Sequence, residues 1–195
     1  MSELPLLLAV FWGALNPPAS LASLPNSFGG VAREQRARLL VAAWALAAAL
    51  LALAALLHEP LFDLLEVSPP SFDVAAGIVM LVGAVRPLVH GRAIEETTAS
   101  LADGGRRSAL APLAVPLLAT PAALAAAVSY GERAGEGATI AVAIAIAGLA
   151  ALLLAAQPLL GTCVGRAIFE ALARLGGALL VVSAIGLIVD GVFTI

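Results

Sequence analysis

Apolar residues fall in long unbroken blocks separated by short polar stretches, without the strict alternation of a half-buried strand. Residues 39–57 are apolar without interruption, and residues 110–130 and 138–160 contain no charge. Residues 74–89 form a shorter block with Arg86 near one end, where a long side chain snorkels to an interface. Residues 175–195 carry Asp190 as their single charge. Residues 4–24 are uncharged, but Asn16, Pro17 and Pro18 interrupt them in the middle. A hydrocarbon layer takes roughly 20 apolar residues of helix, so the pattern predicts six membrane-crossing segments. The fold class is therefore all-α integral membrane. A membrane barrel is excluded, because its strands alternate apolar and polar residues.

Composition sharpens this. The 195 residues are 62% apolar and 12% charged, against about 25% charged in an average soluble domain. All ten basic residues are arginine, which removes lysine chemistry such as Schiff bases or a P-loop. One cysteine rules out a disulfide framework or a thiolate metal cluster, and a net charge of −3 offers nucleic acid no basic footprint. The chain opens Met-Ser-Glu with no arginine before Arg33, unlike a signal peptide. Arg33, Arg36, Arg38, Arg86, Arg92, Arg106, Arg107, Arg166 and Arg174 follow the first, third and fifth predicted spans, and Arg133 alone lies on the other side. The positive-inside rule then predicts both termini outside the cytoplasm. Residues 90–108, with Gly104 and Gly105 among mixed charges, read as a cytoplasmic linker within a single membrane domain. The linker separates residues 1–89 from residues 109–195, with three predicted spans in each half.

The halves resemble each other. Asn16-Pro17 lies about as far into the first span as Thr120-Pro121 into the fourth, an offset of 104, and residues 74–79 align with residues 175–180 at an offset of 101. An odd number of spans per half makes the second enter from the opposite face, an inverted repeat of the kind secondary transporters use. Proline removes a backbone donor and clashes with the preceding turn, and in lipid the freed carbonyls need partners. Asn16 and Thr120 are N-cap residue types, and Pro17 and Pro121 suit the first helical position. Broken helices 1 and 4 would present positive helix ends to a carboxylate at mid-membrane. Small neighbours Ala19, Ser20, Ala122 and Ala123 would allow close approach. The substrate-binding candidates are thus Asn16, Pro17, Ala19, Ser20, Thr120, Pro121, Ala122 and Ala123. The opposing reading is two ordinary proline kinks.

Three segments resemble motifs of the MarC family, the small neutral amino acid transporter family. They are Phe11-Trp12-Gly13-Ala14-Leu15-Asn16-Pro17, residues 112–121, and Ile188-Val189-Asp190-Gly191. The resemblance covers essentially the whole chain. It implies six spans, a three-plus-three inverted repeat, and transport of glycine- or alanine-like zwitterions across a bacterial or archaeal cytoplasmic membrane. Ala19, Ala22, Thr120 and Ala122 stand where the family usually has glycine or proline, which would narrow a site built on backbone approach.

Asp190 is the coupling candidate, for protons or sodium, with an interfacial position as the alternative. Asp73 reads as a charge at a helix N-terminus, Ser129-Tyr130 as an interfacial anchor, and Gln157-Pro158 as a helix-end kink. His58, His90 and Cys163 fall on different faces, so no metal site is expected. Residues 131–137 form a glycine-rich loop without the lysine of a phosphate cradle, and no hydrolytic triad assembles, so neither enzyme nor cofactor is expected. The expected partners are a small zwitterion and the bilayer, with a homo-oligomer left open. Efflux of another small solute and a non-transporting membrane scaffold are the competing functions.

Overall fold

The computed structural model describes residues 3–23, 33–93, 113–163 and 165–194. These residues form nine helical segments: α1 (Leu4–Leu15), α2 (Pro17–Ser23), α3 (Arg33–Leu56), α4 (His58–Leu65), α5 (Pro69–His90), α6 (Leu113–Leu118), α7 (Pro121–Ala134), α8 (Glu136–Cys163) and α9 (Arg166–Thr194). Most of the predicted linker lies outside the described residues. Five stretches are long and apolar enough to cross a membrane: Leu4–Ser23, Glu34–Leu56, Pro69–His90, Glu136–Gln157 and Arg166–Thr194. The predicted fourth span is divided between α6 and α7, neither of which qualifies alone. Val115 has strand-like angles (φ −133°, ψ 121°) inside α6, so the chain there is not a straight helix.

Small residues decide how the long helices meet. A Cβ added at Gly77 would lie 2.8 Å from the Ala184 carbonyl, one at Gly177 2.7 Å from the Leu88 nitrogen, and one at Gly191 2.7 Å from the Pro70 carbonyl. These contacts run α5 and α9 antiparallel along their whole length, the most extensive helix pairing among the described residues. Close backbone packing of this kind is how helices associate where lipid supplies no hydrophobic drive. α3 and α8 are also antiparallel, with Trp44 Nε1 donating to the Ile144 carbonyl (3.4 Å) and its ring covering Gly148. α1 runs antiparallel to α9, with Gly13 against Gly176 and Leu180. Large apolar side chains such as Val82, Val182 and Phe193 stay exposed, a surface suited to lipid.

The polar contacts sort into two ends. At one end, Arg36 donates to the Leu154 carbonyl and to Gln157 (3.4 Å), and Arg92 and Arg166 share Glu170 (3.3 and 3.0 Å). Proline at position 158 has no N–H for the Leu154 carbonyl, so the Arg36 guanidinium takes the place of the missing helix donor. Helix α8 continues past Gln157-Pro158 to Cys163, while its membrane-length apolar stretch ends at Gln157. Arg36, expected in a loop, is buried in the first turn of α3.

At the opposite end, α4 lies between α3 and α5 in the chain. Its buried His58 places Nδ1 2.8 Å from the Ala55 carbonyl and Nε2 3.2 Å from Glu132. Of the expected glycine-rich loop, Gly131 to Ala134 belongs to α7, and Gly135 (φ +87°) alone makes the corner into α8. Ser129 and Tyr130 are buried in the core, where the Tyr130 carbonyl accepts from Thr139 Oγ1 (2.8 Å), so they are not surface anchors. Asp73 sits in the second turn of α5, because Ser68 caps the helix and Pro69 begins it one turn earlier than expected.

Candidate functional site

Both breaks form, and each is built from local chemistry. Helix α1 stops because Asn16 adopts the left-handed conformation (φ 42°, ψ 69°), which asparagine tolerates better than most residues. Pro17 and Pro18 then open α2, and their missing N–H groups leave the Gly13 and Ala14 carbonyls without helix donors. Thr120 has extended angles and caps α7, its Oγ1 accepting from the Ala123 N–H (3.0 Å). The same hydroxyl donates to the Ala14 carbonyl (2.8 Å), so the cap of the second break satisfies an acceptor freed by the first.

Asn16 is a brace. Its Nδ2 donates to the Ala173 carbonyl of α9 (2.8 Å), its Oδ1 accepts from the Ala19 N–H (3.2 Å), and its carbonyl accepts from the Ser20 N–H (3.1 Å). The side chain rests on Gly176, where an added Cβ would lie 2.7 Å from Nδ2. With two prolines and two engaged amides, the first turn of α2 presents no N–H to a ligand. The α7 end differs. Pro121 has no donor and Ala123 is held by Thr120, which leaves the Ala122 N–H without an intrahelical acceptor at the positive end of the helix.

A cavity of about 330 Å³ lies between the two breaks and α5. Of the eight sequence candidates, Asn16, Thr120, Pro121 and Ala122 line it. Pro17, Ala19, Ser20 and Ala123 are buried outside its lining, and Ser20 Oγ has no hydrogen-bond partner among the described residues. The remaining wall comes from residues not among the sequence candidates for the site: Gly13, Ala14 and Leu15 from α1, Ile78, Val79, Val82, Gly83, Arg86 and Pro87 from α5, and Ala93 beyond it. Pro87 is the signal that points there, since a proline inside α5 leaves the Gly83 carbonyl without its helix donor. A Cβ at Gly83 would come within 3.0 Å of the Ala122 Cβ, so this glycine keeps the wall open. Arg86 is the one charged side chain among these lining residues, at the arginine-rich end.

The lining therefore combines the N-terminus of α7, the Gly13 and Gly83 residues whose carbonyls lack helix donors, and Arg86, around a mostly apolar interior. Asp190 is elsewhere, at the opposite end, paired with Arg133 (3.0 Å) and exposed. Among the described residues, no three His, Cys, Asp or Glu side chains converge on a metal site. Among known proteins, the family model described as MarC family integral membrane protein matches residues 2–195. No curated protein and no solved structure matches the chain.

Proposed function

Because the chain belongs to the MarC family of integral membrane proteins, we propose that it is a secondary transporter of small neutral amino acids, glycine- or alanine-like, working by alternating access. The observation that carries this reading is the cavity between two proline-broken helices, lined by a helix N-terminus and by residues whose carbonyls lack helix donors. The substrate carboxylate lies against the Ala122 N–H at the start of α7, with Arg86 on its path of entry. The ammonium group turns to the carbonyls of Gly13 and Gly83, which Pro17 and Pro87 leave without helix donors. Asn16 and Thr120 act by holding the two helix ends in register, through α9 and through each other.

In this reading the chain crosses six times, as α1–α2, α3, α5, α6–α7, α8 and α9, in two inverted halves. The antiparallel packing of α3 on α8 and of α5 on α9 supports it, because an inverted repeat makes the second and fifth crossings, and the third and sixth, run in opposite directions. The membrane is the cytoplasmic membrane of a bacterium or archaeon, with both termini outside. Coupling to protons or sodium falls to Asp190 at the Arg133 end. The cycle makes and breaks no covalent bond, so it needs neither catalytic residue nor cofactor.

Thermal unfolding of the purified full chain tests the pairing of charges. Alanine at 100 times its Kd should stabilise the protein by about 2.7 kcal/mol, and ethylamine or propionate at the same concentration should not. If no member of a broad amino-acid panel shifts the transition, the transport reading falls.

A further inference from the structure

Nine arginines belong to one side by sequence, and Arg133 is the exception. It sits in the last turn of α7 and reaches two carboxylates at once. Its Nε donates to Asp73 Oδ2 (2.9 Å) and its terminal nitrogen NH1 to Asp190 Oδ2 (3.0 Å). Asp73 belongs to α5 and its side chain is 8% exposed, whereas Asp190 belongs to the end of α9 and is 60% exposed. One planar guanidinium thus ties α7 to the α5–α9 pair, using separate nitrogens for the two partners, which a lysine ammonium does not reproduce. Among the described residues, the His58 contact with Glu132 and Glu136 joins α4 to α7 and α8 and does not cross to α5 or α9.

The cavity lies in the other half of α5. Its lining on that helix runs from Ile78 to Pro87, and Arg86 is thirteen residues beyond Asp73, about 20 Å along the axis. The lining reaches Arg86 and Ala93 at the arginine-rich end and includes no residue of the opposite end, where Arg133 bridges the helices. We propose that Arg133 is the bolt that keeps the opposite end closed: opening the cavity there requires its guanidinium to release Asp73 and let α7 part from α5. Asp190 keeps hold of Arg133 as this happens, so the arginine is never left without a carboxylate, and the exposed aspartate serves as the resting place of the released bolt. The proposal rests on the alternating-access reading, and it makes Arg133 and Asp73 positioning residues that touch no substrate.

The test uses the full chain in oriented vesicles, with the single native cysteine removed by Cys163→Ser and a probe introduced by Ala76→Cys. Ala76 is 2% exposed and lies one turn from Asp73 toward the cavity. A charged, membrane-impermeant maleimide added on the Arg133 side should label the probe slowly. In the Asp73→Asn and Arg133→Gln backgrounds, labelling should be roughly tenfold faster, as expected when the closed state loses a pair that the open state lacks. Folded variants that label at the unaltered rate would overturn the proposal.

A second arm does not depend on those variants folding with an unpaired charge. Asp73→Cys with Arg133→Cys, bridged by a reducible bifunctional thiol reagent, should abolish amino-acid counterflow and regain it on reduction, with substrate binding retained throughout. Counterflow that persists across the bridge also overturns the proposal. If the unaltered protein moves no amino acid, the transport reading fails instead, and the labelling arm still decides whether Arg133 holds that end shut.

Discussion

Replacing Asn16 separates a brace from a ligand. Asn16→Ala removes the bond to the Ala173 carbonyl, leaves the buried Ala19 N–H without its acceptor, and puts a residue with a Cβ but no local hydrogen bond into left-handed backbone. An interhelical bond in a membrane protein is worth about 1 kcal/mol, an orphaned buried amide at least about 1, and the left-handed conformation about 1–2. Asn16→Ala should therefore destabilise the fold by about 3–4 kcal/mol. Asn16→Gly tolerates the backbone angle and should lose about 1–2 kcal/mol less. Reversible unfolding in mixed micelles, followed by Trp12 and Trp44 fluorescence, measures both. A side chain whose role is to meet the substrate would behave differently, with affinity falling and stability unchanged. Asn16→Ala within about 0.5 kcal/mol of the parent, or glycine no better than alanine there, would refute the brace.

Thr120→Val keeps the shape but uncaps Ala123 and orphans the Ala14 carbonyl. It should lower stability by about 2–3 kcal/mol and weaken alanine binding, while Thr120→Ser keeps both bonds and both properties, as thermal unfolding and titration would show. Gly177→Ala drives a Cβ to within 2.7 Å of the Leu88 nitrogen and should cost about 1–3 kcal/mol in the same unfolding assay. Gly137→Ala meets nothing within 4 Å and should be neutral or stabilising by up to about 1 kcal/mol. Arg36→Met removes the donor that serves the Leu154 carbonyl. It should be destabilising alone and about 1 kcal/mol less so with Pro158→Ala, which restores a backbone N–H; strict additivity in that double-mutant cycle would argue against the substitution of arginine for a helix donor.

The breaks were legible in the sequence because proline and capping chemistry act within a few residues. Asn16-Pro17 and Thr120-Pro121 end and start helices wherever the chain goes. What the breaks touch was not legible. The Ala173 carbonyl lies 157 residues from Asn16, and the Ala14 carbonyl 106 residues from Thr120, so no local rule connects them. That is why Asn16, read as the cap of a helix end that meets a ligand, also proves to brace α9, with both side-chain polar atoms occupied within the protein. Asp73 was misplaced by one turn because Ser68-Pro69 is an earlier start signal than the carboxylate itself. Ser129 and Tyr130 were read as an interfacial anchor, whereas their position on α7 turns them into the core. The α5 wall of the cavity was hidden for a related reason. Val79 and Val82 stay exposed and read as lipid-facing, and Gly83 shows as part of a wall only once α7 sets Ala122 beside it. The charge count did mark Arg133 as anomalous, but its two partners, 60 and 57 residues away, appear only in the fold.

Counterflow in proteoliposomes is the most direct test of transport through the cavity between the breaks. Vesicles loaded with unlabelled alanine and diluted into trace labelled alanine should accumulate label transiently. The effect should vanish in Gly83→Val, which fills the wall against Ala122, and persist in Gly137→Ala. No accumulation by the unaltered protein, with any neutral amino acid inside, would contradict it.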